Sequence, residues 1–142
     1  MIKSNKGFYV GDICYVLQNN IYNDIWAEIG FPESLAGIPV LPGKEVDGVE
    51  TTETFNFAVK STGGDGVFFD NEGYEYSVDA GVIGVVPLEL CYQKGLNKGL
   101  GRILDIAGNV EFGFDAGIIS VSVHSVDGRD NNPVEVFEID IN

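Results

Sequence analysis

The tripeptide Asp-Ala-Gly occurs twice in the same setting, at 79–81 and at 115–117, each time inside a run of alternating residues. Before the first copy, Tyr74, Tyr76 and Val78 alternate with Glu75, Ser77 and Asp79; before the second, Val110, Phe112 and Phe114 alternate with Glu111, Gly113 and Asp115. After each copy the chain resumes as an apolar strand, Val82–Val86 or Ile118–His124. A period of two is the mark of a half-buried strand. An Asp side chain bonds nearby backbone amides, and Gly adopts angles that other residues resist, so the phrase reverses or sharply bends a strand. The repeat therefore predicts the same corner made twice, at pseudo-symmetric places in one sheet system. Asp79 and Asp115 are expected to accept from amides just downstream, with Gly81 and Gly117 where a side chain would be strained. Two copies are too few for a solenoid.

The rest of the chain points the same way. FYVGDICYVL (8–17) is β-branched and aromatic, broken at Gly11-Asp12, and reads as a buried strand with a bend or bulge. The helical period is best over about 19–30, where Ile21, Tyr22, Ile25, Trp26 and Ile29 form one stripe. Asn19 or Asn20 can cap it, Gly30 stops it and Pro32 prevents continuation. Residues 31–54 carry prolines, glycines and the acids Glu33, Glu45, Asp47, Glu50 and Glu53, and read as a long irregular loop. Such a loop would serve as a lid, an oligomer arm or a partner-binding surface. Phe55, Phe57 and Val59 then mark a strand, 61–66 and 70–73 mark turns, and Val134–Ile141 a final strand. The reading is mainly β: a small antiparallel barrel or sandwich of about nine short strands with one amphipathic helix, in a single domain over 1–142.

Charge is the most unusual bulk property. Twenty-two acids against eight bases give a net charge of −14, spread along the chain. Such a surface repels nucleic acid and anionic membranes and attracts basic proteins. The opening MIKSNKG has no apolar core and no run reaches membrane-spanning length, so a soluble, cytoplasmic protein is expected. Cys14 and Cys91 are too few for a disulfide framework and read as free thiols.

The phrases YVGDICYVL (9–17), GDGVFFDNEGYEYSVDAGVIGVVPLEL (64–90) and FDAGII (114–119) resemble a family of small proteins of bacteria and their phages. Its members carry Gly-Asp-x-Cys-Tyr near the start and Val-Asp-Ala-Gly-x-Ile-Gly at the centre. The resemblance supports the fold and a cytoplasmic setting, and it brings no activity with it.

No residue set forms a catalytic signature. His124, the only histidine, lies on the polar Ser120–Ser122–His124 face without a local nucleophile or orienting acid. Asp79 and Asp115 could pair as carboxylates, but turn formation explains both. Asp65, Asp70, Asp127 and Asp130 lie in Gly- and Asn-rich turns and lack the spacing of a calcium loop. No metal and no cofactor is expected. Two basic stretches could meet a phosphate: Lys60, Ser61, Thr62, Gly63 and Gly64, with the materials of an anion nest, and Lys94, Lys98 and Arg102 in the glycine-rich KGLNKGLGR.

The expected function is accordingly non-enzymatic. It is an acidic inhibitor or immunity-type module of a bacterium or phage, covering the basic, nucleic-acid-binding surface of a partner protein through Glu33, Glu45, Asp47, Glu50 and Glu53. One alternative is an oligomeric protein that binds or sequesters a nucleotide at the basic stretches. Another is a structural or virion-associated protein. Direct nucleic-acid binding and membrane association are not expected.

Overall fold

A computed structural model describes residues 2–23, 36–125 and 133–142. Among them are thirteen strands: β1 Ile2–Ser4, β2 Phe8–Gly11, β3 Ala36–Val40, β4 Glu45–Val46, β5 Val49–Glu50, β6 Phe55–Ser61, β7 Gly66–Asp70, β8 Glu75–Val78, β9 Val82–Pro87, β10 Arg102–Leu104, β11 Gly108–Asp115, β12 Ile118–Ser125 and β13 Glu135–Asp140. Two short helical pieces join them, α1 at 19–23 and α2 at Gln93–Leu96. One sheet runs β1-β11-β12-β13-β7-β8, a second runs β10-β2-β9-β6-β3, and β4-β5 is a separate hairpin. Every pairing is antiparallel.

The mainly β, antiparallel reading is what the chain adopts, with more strands than the expected nine. The surplus comes largely from 31–54, which is not one irregular loop. Its described part contains β3, paired with β6 through Ala36↔Val59 to Val40↔Phe55, and the β4–β5 hairpin. These strands are short and interrupted by Pro39, Pro42 and Gly43, so no alternating run is long enough to show in the sequence. The helix is confirmed over 19–23, where the amides of Ile21 and Tyr22 reach Gln18 O; Ile25, Trp26 and Ile29 lie outside the described residues. The strand read over 8–17 is β2, which stops at Gly11 rather than continuing to Leu17, and Ile13–Tyr15 forms a 3-10 turn capped by Asp12.

The two large sheets pack face to face. From the six-stranded sheet Val110, Ile119, Val121, Val123 and Phe137 point inward, and Phe8, Val10, Ile83 and Val85 meet them from the five-stranded sheet. The second sheet is also buried on its far face, where Tyr9, Phe57, Val59, Val82 and Val86 lie under Ile13, Val16, Leu17, Ile21 and Leu90. This explains two kinds of strand pattern. In β12, with one face to the core, Ile119, Val121 and Val123 are buried while Ser120, Ser122 and His124 are only partly so. In β9, covered on both sides, all six residues are buried and the sequence is continuously apolar. Each large aliphatic side chain so buried contributes about 1.5–3 kcal/mol. Gly84 is required within β9, because a Cβ there would lie 2.6 Å from Ala58 O and 2.7 Å from Ile13 Cγ2.

Candidate functional site

The two Asp-Ala-Gly phrases do not make the same corner. At 79–81 the chain leaves β8 in one sheet and enters β9 in the other. At 115–117 it turns back within one sheet, with Asp115 opposite Ile118 and only Ala116 and Gly117 between them. Gly81 and Gly117 do have the expected positive φ, 70° and 82°. The expected capping by Asp79 and Asp115 is not what holds either turn: both residues are exposed, and no hydrogen bond to either carboxylate is present among the described residues. The first corner is held by Asp12, which is fully buried. Its Oδ2 accepts from the amides of Asp79 at 2.6 Å and Ala80 at 2.8 Å, and its Oδ1 from Cys14 at 3.0 Å. The clue was an acid inside the otherwise apolar FYVGDICYVL. Burial, reinforced by hydrogen bonding and charge from Asp12, pushes the Cys14 thiol up to about 12.

The acidic candidates gather on the β4–β5 hairpin. Glu45 and Glu50 are directly opposed across it and both are exposed. Its tip is Asp47-Gly48, with φ of 51° and 82°, the mirror-image turn that favours this dipeptide. Asp47 also anchors the hairpin, accepting from the Gln93 amide at 2.8 Å while its own amide donates to Gln18 Oε1 at 2.8 Å. Between hairpin and body lies a groove of about 630 Å³. Val46, Phe55, Leu88 and Leu96 supply its apolar lining, and Asp47, Glu50, Glu53 and Glu89 its acids. Glu89 is committed to structure, taking the Ser4 hydroxyl and the Asn5 amide. Glu50 and Glu53 are exposed, and Glu33 lies outside the described residues.

The basic candidates separate. Lys60, Ser61, Thr62, Gly63 and Gly64 line a cleft of about 570 Å³ together with Phe114, Gly117 and Asn142. Lys60 is buried, donates to Ser61 O at 3.0 Å, and sits 4.4 Å over the Phe114 ring. Its loop crosses from β6 in one sheet to β7 in the other, rather than closing a hairpin. Lys94 and Lys98 are exposed around α2, with Lys98 5.3 Å over the Tyr15 ring. Arg102 belongs to neither group and is not a phosphate ligand in waiting, as its place in the sequence suggested, because carboxylates already surround it. Its guanidinium meets Asp70 at 2.9 Å, Glu72 at 2.9 Å and Glu135 at 3.1 Å, and stacks 4.2 Å over Phe137. Three carboxylates around one cation leave no positive face for an anion.

That cluster ties β10, the edge of one sheet, to β7 and β13 of the other. Asp70 is buried and also accepts from Tyr76 Oη at 2.7 Å and from the Glu72 and Tyr74 amides, both at 2.9 Å. Burial alone would raise its pKa, but these hydrogen bonds and Arg102 hold it below the usual carboxylate range. Glu135 is raised, first by hydrogen bonding with Glu72.

His124 faces Asn109 across β11 and β12. Its Nε2 and Asn109 Oδ1 are shielded from solvent and unbonded, so the histidine is not simply solvated. Among the described residues no group of three or more His, Cys, Asp or Glu could hold a metal. Asp65 is exposed, while Asp127 and Asp130 lie outside the described residues. Both cysteines are free. No helix among the described residues is long and apolar enough to cross a membrane. No family model, curated protein or solved structure matches the chain.

Proposed function

We propose that this chain is a non-enzymatic acidic binding protein whose groove beneath the β4–β5 hairpin receives a basic segment of a partner protein. The observation that carries the reading is the opposed pair Glu45 and Glu50 beside a groove with apolar lining and exposed Glu50 and Glu53. Like charges directly opposite in a hairpin are destabilising, and a partner's Lys or Arg would relieve them. The lining would take the aliphatic stem of the same side chain. A net charge of −14 would steer such a partner in and turn nucleic acid away. In a bacterium or phage, this is the chemistry of an inhibitor or immunity-type module that covers a nucleic-acid-binding surface.

The test is affinity capture from a bacterial lysate by wild type and by E45K/E50K/E53K, each at low salt and at roughly 0.5 M salt, where surface charges are largely screened. Basic proteins should be enriched by the wild type at low salt only, and the variant should lose them. Capture that survives the charge reversal sinks the groove.

The cleft at Lys60–Gly64 favours a second reading, in which a nucleotide or other small anion seats against the buried Lys60 and the glycine loop. Thermal shift against a nucleotide panel separates the two, because a ligand at a hundredfold excess over its Kd stabilises by about 2.7 kcal/mol. No shift with any phosphate-bearing compound removes it.

A further inference from the structure

The β4–β5 hairpin is closed on one side and open on the other. Its two-residue turn makes Val46 and Val49 a bonded pair, and the Thr51 amide donates to Lys44 O at 2.8 Å two positions on. Bonded and non-bonded pairs alternate in an antiparallel ladder, so Glu45 and Glu50, lying between, turn their amides and carbonyls outward. On the β4 side Glu45 O is taken by Asn20 Nδ2 at 3.0 Å. On the β5 side no bond reaches the amide or carbonyl of Glu50 among the described residues. Side chains divide by the same alternation. Glu45 and Glu50 share the outer face, while Val46 and Val49 share the face toward the body, where Val46 is buried and Val49 is 70% exposed. The stretch from Val49 to Glu53 lines the groove on the hairpin side, and Lys6, Leu88 and Leu96 line it from the body. From Lys6 the chain leads off along β11, with Ser4 opposite Gly108 and Ile2 opposite Val110.

We infer that an extended segment of a partner protein, in which basic and apolar residues alternate, joins β5 as a third, antiparallel strand of this hairpin. The inference rests on the groove reading above and adds how the segment lies in the groove. The residue paired with Glu50 would exchange two hydrogen bonds with it and set its own side chain on the outer face, beside Glu50 and near Glu45. Lys or Arg suits that place. Its neighbours would point the other way, over Val49 and into the apolar lining, and apolar side chains suit them. A two-stranded ribbon is marginal by itself, so a third strand would also firm the hairpin. The same acids argue against a second copy of this chain, because antiparallel pairing of two β5 edges about Glu50 would set that residue against its own counterpart.

The probe is a fluorescein-labelled peptide of about eight alternating Lys and Val residues, enough to pass along the whole hairpin at ~3.4 Å per residue. Fluorescence anisotropy should show binding to the wild type and its loss with E45K/E50K. E111K/D115K makes the same change of charge at exposed positions of the other sheet and should keep the affinity within about threefold. In the inferred register the lysine amides face β5 and the valine amides face away. N-methylating the lysines should therefore weaken the peptide about tenfold or more, the factor for one good hydrogen bond, and N-methylating the valines should leave it within about threefold. This contrast is read on the wild type and needs no variant to fold. Glu50→Pro against Glu50→Ala repeats it from the protein's side, since both lose the charge and only the proline loses the amide. No binding of the unmodified peptide, equal behaviour of the two N-methylated forms, or a loss that follows E111K/D115K as well would each overturn the added strand. The groove reading fails by a different result, lysate capture that survives charge reversal. Capture lost on reversal, with both N-methylated peptides bound equally, keeps the groove and removes the strand.

Discussion

Asp79-Ala80-Gly81 and Asp115-Ala116-Gly117 are the same three residues with glycines in nearly the same conformation, φ 70° and 82°, yet one carries the chain between sheets and the other folds it back on itself. The local sequence therefore sets the conformation of the glycine and leaves the rest of the bend open, since Ala116 has a φ of 51° while Ala80 stays at negative φ. Destination is set by what lies far away in the chain. At the first site it is Asp12, whose buried carboxylate gathers the amides of the corner itself and of the 3-10 turn that follows β2. At the second it is the eight-residue ladder between β11 and β12, which needs no distant anchor.

The largest expected effect tests that division directly. Asp12→Ala should leave three amides without their acceptor and cost about 3 kcal/mol or more, and Asp12→Asn, which keeps one acceptor oxygen, should cost less. Asp79→Ala and Asp115→Ala should each stay within about 0.5 kcal/mol of wild type, as exposed side chains without a hydrogen-bond partner among the described residues. Urea denaturation measures all four. A loss at Asp79 as large as at Asp12 would return the turn to its own carboxylate.

A second buried carboxylate joins the sheets at Asp70, and here pH becomes the probe. Because its folded pKa lies below its ordinary value, Asp70 contributes stability that is complete above about pH 3.9 and is lost as pH falls through the lower folded value. Glu135 works in the opposite direction: its raised pKa favours the protonated form, so its contribution is present below the ordinary Glu value and disappears as pH rises. Asp70→Asn should cost about 1–3 kcal/mol at neutral pH and flatten the acid limb of the stability curve. Glu135→Gln should give a small gain at neutral pH. An acid limb unchanged by Asp70→Asn would mean that this tie is not what low pH unloads.

What could be read from the sequence follows the same line between local and distant causes. The alternation of β11 and β12, the continuous apolar run of β9 and the positive φ of both glycines are local, and each was visible. The short strands at Ala36–Val40 and Glu45–Glu50 were hidden because prolines and glycines cut them below the length at which a period shows. Asp12 could be seen only as a break in a strand, since the amides it serves lie 67 and 68 residues away. Arg102 looked like a cation waiting for a phosphate because Asp70, Glu72 and Glu135 reach it from distant parts of the chain. Of the candidate sites, the acids of the hairpin and the Lys60–Gly64 loop were grouped by sequence as they are in space.

The hairpin supplies the next contrast. An alanine at Gly117 would keep a conformation that costs an L-residue about 1–2 kcal/mol, and its Cβ would also displace the Asn142 side chain, now 2.0 Å from that position. Gly117→Ala should therefore destabilise by at least about that amount in urea denaturation.

Ala116 gives the smallest and most discriminating effect, because it is already the wrong residue for its turn. Its φ of 51° matches that of Asp47 in the β4–β5 turn, and the following glycines share φ 82°, so the two hairpins have the same turn geometry with different occupants. Mirror-image two-residue turns prefer Asn, Asp or Gly at the first position, where a Cβ-bearing residue without a local hydrogen bond is strained. Ala116→Asn should stabilise the protein by about 0.5–1 kcal/mol, and Asp47→Ala should destabilise it by more than that, since Asp47 also holds Gln93. If the repeated phrase were specified as a unit, Ala116 would be the preferred residue and every substitution there would cost. If only its glycine and its register matter, the gain appears. The sign of one thermal-melting difference at Ala116 thus decides whether the two Asp-Ala-Gly segments share a structural rule or only a spelling.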